Sequence, residues 1–391
     1  MEALRVLELY SGIGGMHYAL KESGLPFQVV AAIDINTTAN EIYKHNFPDT
    51  PLWNKTIEGI QLDDFNRLSF DMILMSPPCQ PFTRIGLQGD IADPRTKSFL
   101  YILDLLPRLC RLPRFILLEN VKGFECSTAR ERLVTTLKEC GYIYQEIMMS
   151  PTSVGIPNSR LRYYLIAVIS TEKSSRPMTS KITDAPSRPA QNDPVVEGTP
   201  PEQLPVSGPA NQETCPPADD KQGDNVLYKL ETPMDAQRKK DQNMDLSVRQ
   251  IQDFLEPQTE VNMENHLLPP KTLLRYALLL DIVRPTCRRS VCFTKGYGRY
   301  VEGTGSVLQS CTEIEMESVF KDLEEYSEEE KLQQLMKLKL RYFTPREVAN
   351  LMGFPQSFSF PKHIATKQQY RVLGNSLNIV VVARLLQLMV S

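Results

Sequence analysis

The stretch Arg5-Val6-Leu7-Glu8-Leu9-Tyr10-Ser11-Gly12-Ile13-Gly14-Gly15-Met16 decides the fold. Arg5–Leu9 is a short apolar run of the kind that forms a buried parallel strand, and Gly15–Ser23 behind it carries helical periodicity. Between them the glycines let the backbone turn tightly and approach a ligand. The helix N-terminus adds free N–H groups. A second apolar run ends at Asp34, twenty residues past Gly14, where an acid commonly accepts hydrogen bonds from ribose hydroxyls. This pairing predicts a nucleoside-containing cofactor. It departs from the nicotinamide fingerprint, whose third glycine position is held by His17.

Outward from that loop, Val29–Ile33, Met72–Met75, Phe115–Leu118 and Tyr163–Val168 read as further strands of a parallel sheet. Thr37–Asn46, Ser98–Leu109 and Thr128–Glu139 read as the helices between them. The alternation predicts a doubly wound α/β domain over residues 1–170, with ligands beyond the carboxyl ends of the strands. Residues 171–223 read as a flexible insertion, because ten of the 29 prolines crowd into 171–217. Residues 224–340 read as a second, smaller domain with a charged helix over Ser327–Leu340. Residues 341–391 return to the first domain, and the apolar tail Ser376–Leu388 must pack against it.

Composition adds boundaries. The 391 residues are 41 % hydrophobic and 23 % charged, enough to bury a sizeable core. The start has no signal-peptide pattern, and the apolar runs read as too short to span a bilayer. The eight cysteines form no CxxC pair and no Cys/His ligand cluster, so reduced thiols, no metal, and a cytoplasmic or also nuclear location are expected. The net charge of −3 offers no positive field, so any nucleic-acid surface must be a local patch.

Two further segments carry chemistry. Ser76-Pro77-Pro78-Cys79-Gln80 follows a strand, and its prolines forbid a helix, holding the Cys79 thiol on a rigid loop at the sheet edge. Glu119-Asn120-Val121 arrives at the same edge, where a carboxyl group can meet a ring nitrogen. Beyond them, Arg160 and Arg162 alternate, so on an extended segment both face one side.

Taken in order, these segments resemble the cytosine-C5 methyltransferase family. The resemblance includes Arg341–Pro355 and Gly374-Asn375-Ser376, and it covers the chain outside the proline-rich insertion. It implies a Rossmann-like S-adenosylmethionine-dependent domain with a smaller variable target-recognition domain. It further implies that Cys79 attacks the base at C6, that Glu119 donates at N3, and that Arg160 and Arg162 hold the carbonyl edge and help orient Glu119. S-adenosylmethionine, leaving as S-adenosylhomocysteine, would contact Ile13, Gly14, Gly15, Asp34, Ile57, Glu58, Ser76 and Ser376. Cys292-Phe293-Thr294 is similar to a mark of the branch acting on cytosine 38 of tRNA-Asp, which makes tRNA the expected partner. Arg84, Arg95, Lys122, Arg288, Arg289, Lys295, Lys367 and Arg371 are candidate RNA contacts, and Cys292 a candidate assistant in catalysis. A loop base is already partly unstacked, so its extrusion costs less than extrusion from a duplex. DNA is the alternative substrate. A non-catalytic nucleic-acid-binding protein and a nicotinamide-dependent oxidoreductase are the rivals of other classes.

Overall fold

The structure is a computed structural model that describes residues 2–79, 90–169, 183–184, 233–257, 262–321 and 323–391. Arg84, Gln80 and nearly all of the proline-rich insertion lie outside the described residues. The elements run β1 (Leu4–Leu9), α1 (Gly15–Ser23), β2 (Phe27–Ile33), α2 (Thr37–Asn46), β3 (Leu52–Trp53), α3 (Leu62–Leu68), β4 (Met72–Met75) and α4 (Lys97–Leu105). They continue through β5 (Phe115–Val121), α5 (Thr128–Glu139), β6 (Tyr142–Met149), β7 (Arg162–Ile169) and β8 (Thr183–Asp184).

These strands form one sheet in the order β3-β2-β1-β4-β5-β7-β6-β8. From β3 to β5 every neighbouring pair is parallel. The far side corrects the expectation of a parallel sheet throughout. β7 runs antiparallel to both β5 and β6, pairing Glu119 with Tyr164 and Val121 with Arg162. A purely apolar strand reports burial on two faces, not direction. The connection from β6 to β7, residues 150–161, holds one 3-10 turn and no crossover helix, so the chain returns antiparallel.

Alternate residues of each strand feed two cores. Val6, Met72, Leu74 and Leu117 pack with α1, α2 and the C-terminal helix. Leu7, Ile73, Met75 and Leu118 pack with α4 and α5. Local signals set the helix starts: Asn36 caps α2 by accepting from the Ala39 N–H, and Ser127 caps α5 by accepting from Arg130.

The second part holds α6 (Pro233–Met244), α7 (Pro270–Tyr276), β9 (Ile282–Val283), β10 (Val307–Gln309), α8 (Met316–Phe320), α9 (Glu328–Lys337) and β11 (Leu340–Arg341). Its three strands form a sheet ordered β11-β10-β9. Leu268, Leu273, Leu335 and Leu340 make a small core of their own, whereas Ile251, Val283, Phe293 and Tyr297 join the larger core. The chain then forms α10 (Pro345–Leu351), α11 (Thr366–Asn375) and α12 (Ile379–Val390).

Thr366–Val390 is apolar and long enough to cross a membrane by length and composition, against the expectation that no run was. It breaks at Ser376, and α12 packs against α1 and the sheet, which makes its apolar surface that of a core helix.

Candidate active site and cofactor cavity

A cavity of about 730 Å³ opens beyond the carboxyl ends of β1, β2, β4 and β5. Ile13 and Gly15 of the first loop, Asp34 after β2, Ile57 and Glu58 of a single 3-10 turn, Ser76, Cys79, Glu119, Arg160, Arg162 and Ser376 all line it. Segments more than 300 residues apart in sequence therefore share one space.

Gly14 does not line the cavity. It is the N-cap of α1 at φ 88°, and a Cβ there would sit 2.5 Å from the Phe47 ring. Only glycine combines that left-handed backbone with that contact, so Gly14 shapes the loop from behind.

Asp34 is half-buried. Its Oδ2 accepts from the Gly12 N–H at 2.9 Å and its Oδ1 from the Asn36 N–H at 2.8 Å, which fixes the carboxylate against the glycine loop. Ser11, which the sequence reading passed over, presents a buried hydroxyl to the cavity with no partner among the described residues. A polar residue inside a glycine loop was the available signal. An orphaned hydroxyl, two carboxylates at Asp34 and Glu58, and an apolar wall at Ile13, Ile35 and Leu377 suit a cationic nucleoside such as S-adenosylmethionine.

At the other end of the cavity the reactive groups meet. The Ser76 hydroxyl donates to Glu119 Oε2, while Glu119 Oε1 lies 3.6 Å from Arg162 Nε. Ser76 thus orients the acid. Asn120 Nδ2 donates to the Pro77 carbonyl at 3.4 Å, tying the Pro77-Pro78-Cys79 loop to the end of β5. Burial, and then the Glu119 carboxylate, push the Cys79 thiol up; Arg162, Arg160 and Lys295 pull against that rise. The resting Cys79 is accordingly a thiol at neutral pH.

Cys292 behaves in the opposite way. Burial raises its thiol, but Arg160 and Arg162 outweigh burial and bring it below the ordinary range. Arg160 Nη1 reaches its sulfur at 3.2 Å and Arg162 Nη2 at 3.7 Å. The two arginines do face one side, as their alternation required, but Cys292 is where they converge.

The structure revises several of the site residues. Arg160 is buried, and its guanidinium donates to the carbonyls of Phe293 (3.0 Å), Gly374 (3.1 Å) and Ser376. Its Nη atoms are therefore engaged by these carbonyls and by the Cys292 sulfur, and only its Nε is left without a partner where the residue lines the cavity. Arg289 is only 5 % exposed and pairs with Asp281 at 2.7 Å, which removes it from any RNA surface. Its charge needed a partner once buried. Arg288 is half-buried and donates to the Val248 carbonyl. Arg95 remains exposed at the cavity rim, paired with Asp93. Lys122, Lys295, Lys367 and Arg371 are exposed.

Comparison with known proteins gives this geometry its context. Residues 4–391 match the family model described as C-5 cytosine-specific DNA methylase. A human protein named tRNA (cytosine(38)-C(5))-methyltransferase is 58 % identical, with all of each chain covered. A Dictyostelium discoideum protein named DNA (cytosine-5)-methyltransferase is 37 % identical, over all of this chain and 95 % of that one. The crystal structure of a Spodoptera frugiperda DNMT2 triple mutant superposes with a TM-score of 0.77 at 38 % identity, all of both chains being covered. With its family model matched over nearly the whole length and its cysteine, acid and arginine gathered at one cavity, the chain belongs to the C-5 cytosine methyltransferase family.

Proposed function

We propose that the chain methylates C5 of cytosine 38 in the anticodon loop of tRNA-Asp, through a covalent bond between Cys79 and C6. The observation that carries the reading is the convergence of Cys79, Ser76-oriented Glu119 and Arg162 at the mouth of a nucleoside-sized cavity.

Cytosine C5 is a poor nucleophile. Cys79, losing its proton as the base arrives, adds through sulfur to C6, and the C5–C6 π electrons move toward N3. Glu119 donates at N3, stabilising the charge that develops there, and Arg162 holds Glu119 in place. Asp34, Glu58 and Ser376 would hold S-adenosylmethionine, which would supply an electrophilic methyl group for C5. Loss of the C5 proton and expulsion of the Cys79 thiolate then restore the aromatic ring.

The RNA assignment rests on the relatives named as tRNA (cytosine(38)-C(5))-methyltransferases, and on Cys292-Phe293-Thr294 lying beside Arg160 and Arg162 at the site. Exposed Lys122, Lys295, Lys367 and Arg371 supply phosphate contacts for a folded RNA. DNA is the second reading, favoured by the name of the Dictyostelium relative.

The test is transfer of labelled methyl to tRNA-Asp and to duplex DNA in parallel. Label is expected at cytosine 38 of the tRNA, with duplex DNA at least about tenfold slower, as the cost of unstacking a paired base implies. Faster label on DNA would overturn the RNA reading and leave the family chemistry intact.

A further inference from the structure

Arg160 is the junction of three sequence-distant segments. It stands in the loop leading into β7, only 4 % exposed. One guanidinium nitrogen donates to Gly374 O and Ser376 O, at the C-terminal end and C-cap of α11, both of which line the cofactor cavity. The other donates to Phe293 O and reaches Cys292 Sγ, in the loop of the second part.

The two acceptor segments also touch each other. A Cβ on Gly374 would lie 2.2 Å from Thr294 C and from Lys295 N, so the backbones are in direct contact and only glycine fits. Among the described residues Arg160 has no ion pair with a carboxylate, and its Nε is buried without a partner. A buried guanidinium held by carbonyls, with a thiol whose deprotonation it favours, is costly to arrange. Its planar fork transmits displacement, because moving one pair of acceptors misaligns the other.

We propose that Arg160 is a positioning residue that couples occupancy of the cofactor cavity to the seating of the Cys292–Lys295 loop. Filling the cavity against Ser376 fixes the 374–376 segment, which fixes the guanidinium, which fixes the loop that meets the target. This rests on the cofactor reading above but not on the choice of RNA over DNA. Cys292 does not line the cavity, so a bound nucleoside acts on its sulfur through its neighbours. Among Arg160, Arg162 and the Gly374 backbone, it is Arg160 whose side chain bonds both the 374–376 segment and the Cys292–Phe293 segment.

The experiment compares the rate of Cys292 alkylation by iodoacetamide, mapped by mass spectrometry, with and without S-adenosylhomocysteine. Saturation is confirmed separately by calorimetry, so failure to bind would count against the cofactor reading and not the clasp. The nucleoside is expected to slow alkylation at least about threefold in the unmodified chain, and the ratio is expected to fall to about one in Arg160→Lys. The ratio within each protein cancels the change in thiol acidity that the substitution itself brings. Gly374→Ala, which parts the same joint from the other side, should abolish the ratio too, and it decides the matter should Arg160→Lys fail to fold. No slowing in the unmodified chain, or the same slowing in the folded variants, would overturn the proposal.

Discussion

Cys79→Ala is expected to lower methyl transfer by at least about 10⁴-fold while leaving S-adenosylhomocysteine binding within a few-fold of normal, as loss of a nucleophile from an intact site does. The reason lies in the division of labour at the site. Cys79 feels the charges of Glu119 and Arg162, whereas Asp34 is tied to the glycine loop where Ser11 stands, and these are the residues proposed to face the base and the nucleoside respectively. Under the proposed mechanism, removing the sulfur removes the one thiol that lines the cavity among the described residues, since Cys292 sits behind the two arginines and does not line it. The methyl assay and calorimetry together check both halves. Residual turnover within a hundredfold would mean that another thiol substitutes for Cys79.

A second large effect belongs to a group that takes no part in the chemistry. Glu8, on β1 just before the cofactor loop, is fully buried; Tyr43 donates to its Oε2 at 3.0 Å, and its Oε1 has no hydrogen-bond partner among the described residues. Burial raises its pKa from the ordinary 4.5 to about 8, the Tyr43 hydrogen bond opposing. His17 lies 3.8 Å from Oε1, stacks on Phe47, and is pushed down to about 3 by burial and by Lys21. Glu8 is therefore a neutral acid in the folded chain at neutral pH.

Because its folded value is raised, the stability it contributes is fully present below pH 4.5 and is lost as pH climbs to about 8. Each pH unit in that window costs about 1.4 kcal/mol. His17 acts with the opposite sign between about 3 and 6.5, so the unmodified chain alone shows the fall most clearly above pH 6.5. Glu8→Gln keeps the shape without the proton. Relative to it, the unmodified chain should lose about 4 kcal/mol of unfolding free energy between pH 5 and pH 8. Denaturant titrations of both proteins across that range measure the difference, and parallel curves would show that Glu8 is not protonated in the fold.

Much of this was legible in the sequence because it was written in backbone chemistry. The termini of α1, α2 and α5 follow from a glycine, Asn36 and Ser127, which are cap signals a reader can see. Cys79 was legible because prolines leave its loop few alternatives. The direction of β7 was not, since an apolar strand buried on two faces looks the same either way. β6 escaped notice altogether, although its Tyr-Ile-Tyr-Gln-Glu-Ile run is half-alternating and its Glu146 is buried with Arg130 and Tyr163.

Arginines were the least legible residues. Arg289 and Arg160 look in sequence like Arg371, yet one is a buried ion pair, one a clasp on main-chain carbonyls and one exposed. What distinguishes them is the partner, and the partners lie 8 residues away for Arg289 and more than 130 away for Arg160. Gly14 was legible as a necessary glycine, but the Phe47 ring that makes it necessary comes from beyond the next helix.

The central claim is that Cys79 bonds to C6 of a tRNA cytosine. It is tested most directly with tRNA-Asp carrying 5-fluorocytidine at position 38, since fluorine at C5 cannot leave as a proton and the thiolate cannot then be expelled. Incubation with S-adenosylmethionine should give a protein–RNA complex that survives denaturing electrophoresis, maps to Cys79 and is absent from Cys79→Ala. A complex that maps to Cys292, or methyl transfer to unmodified tRNA with no trapped complex, would contradict the account.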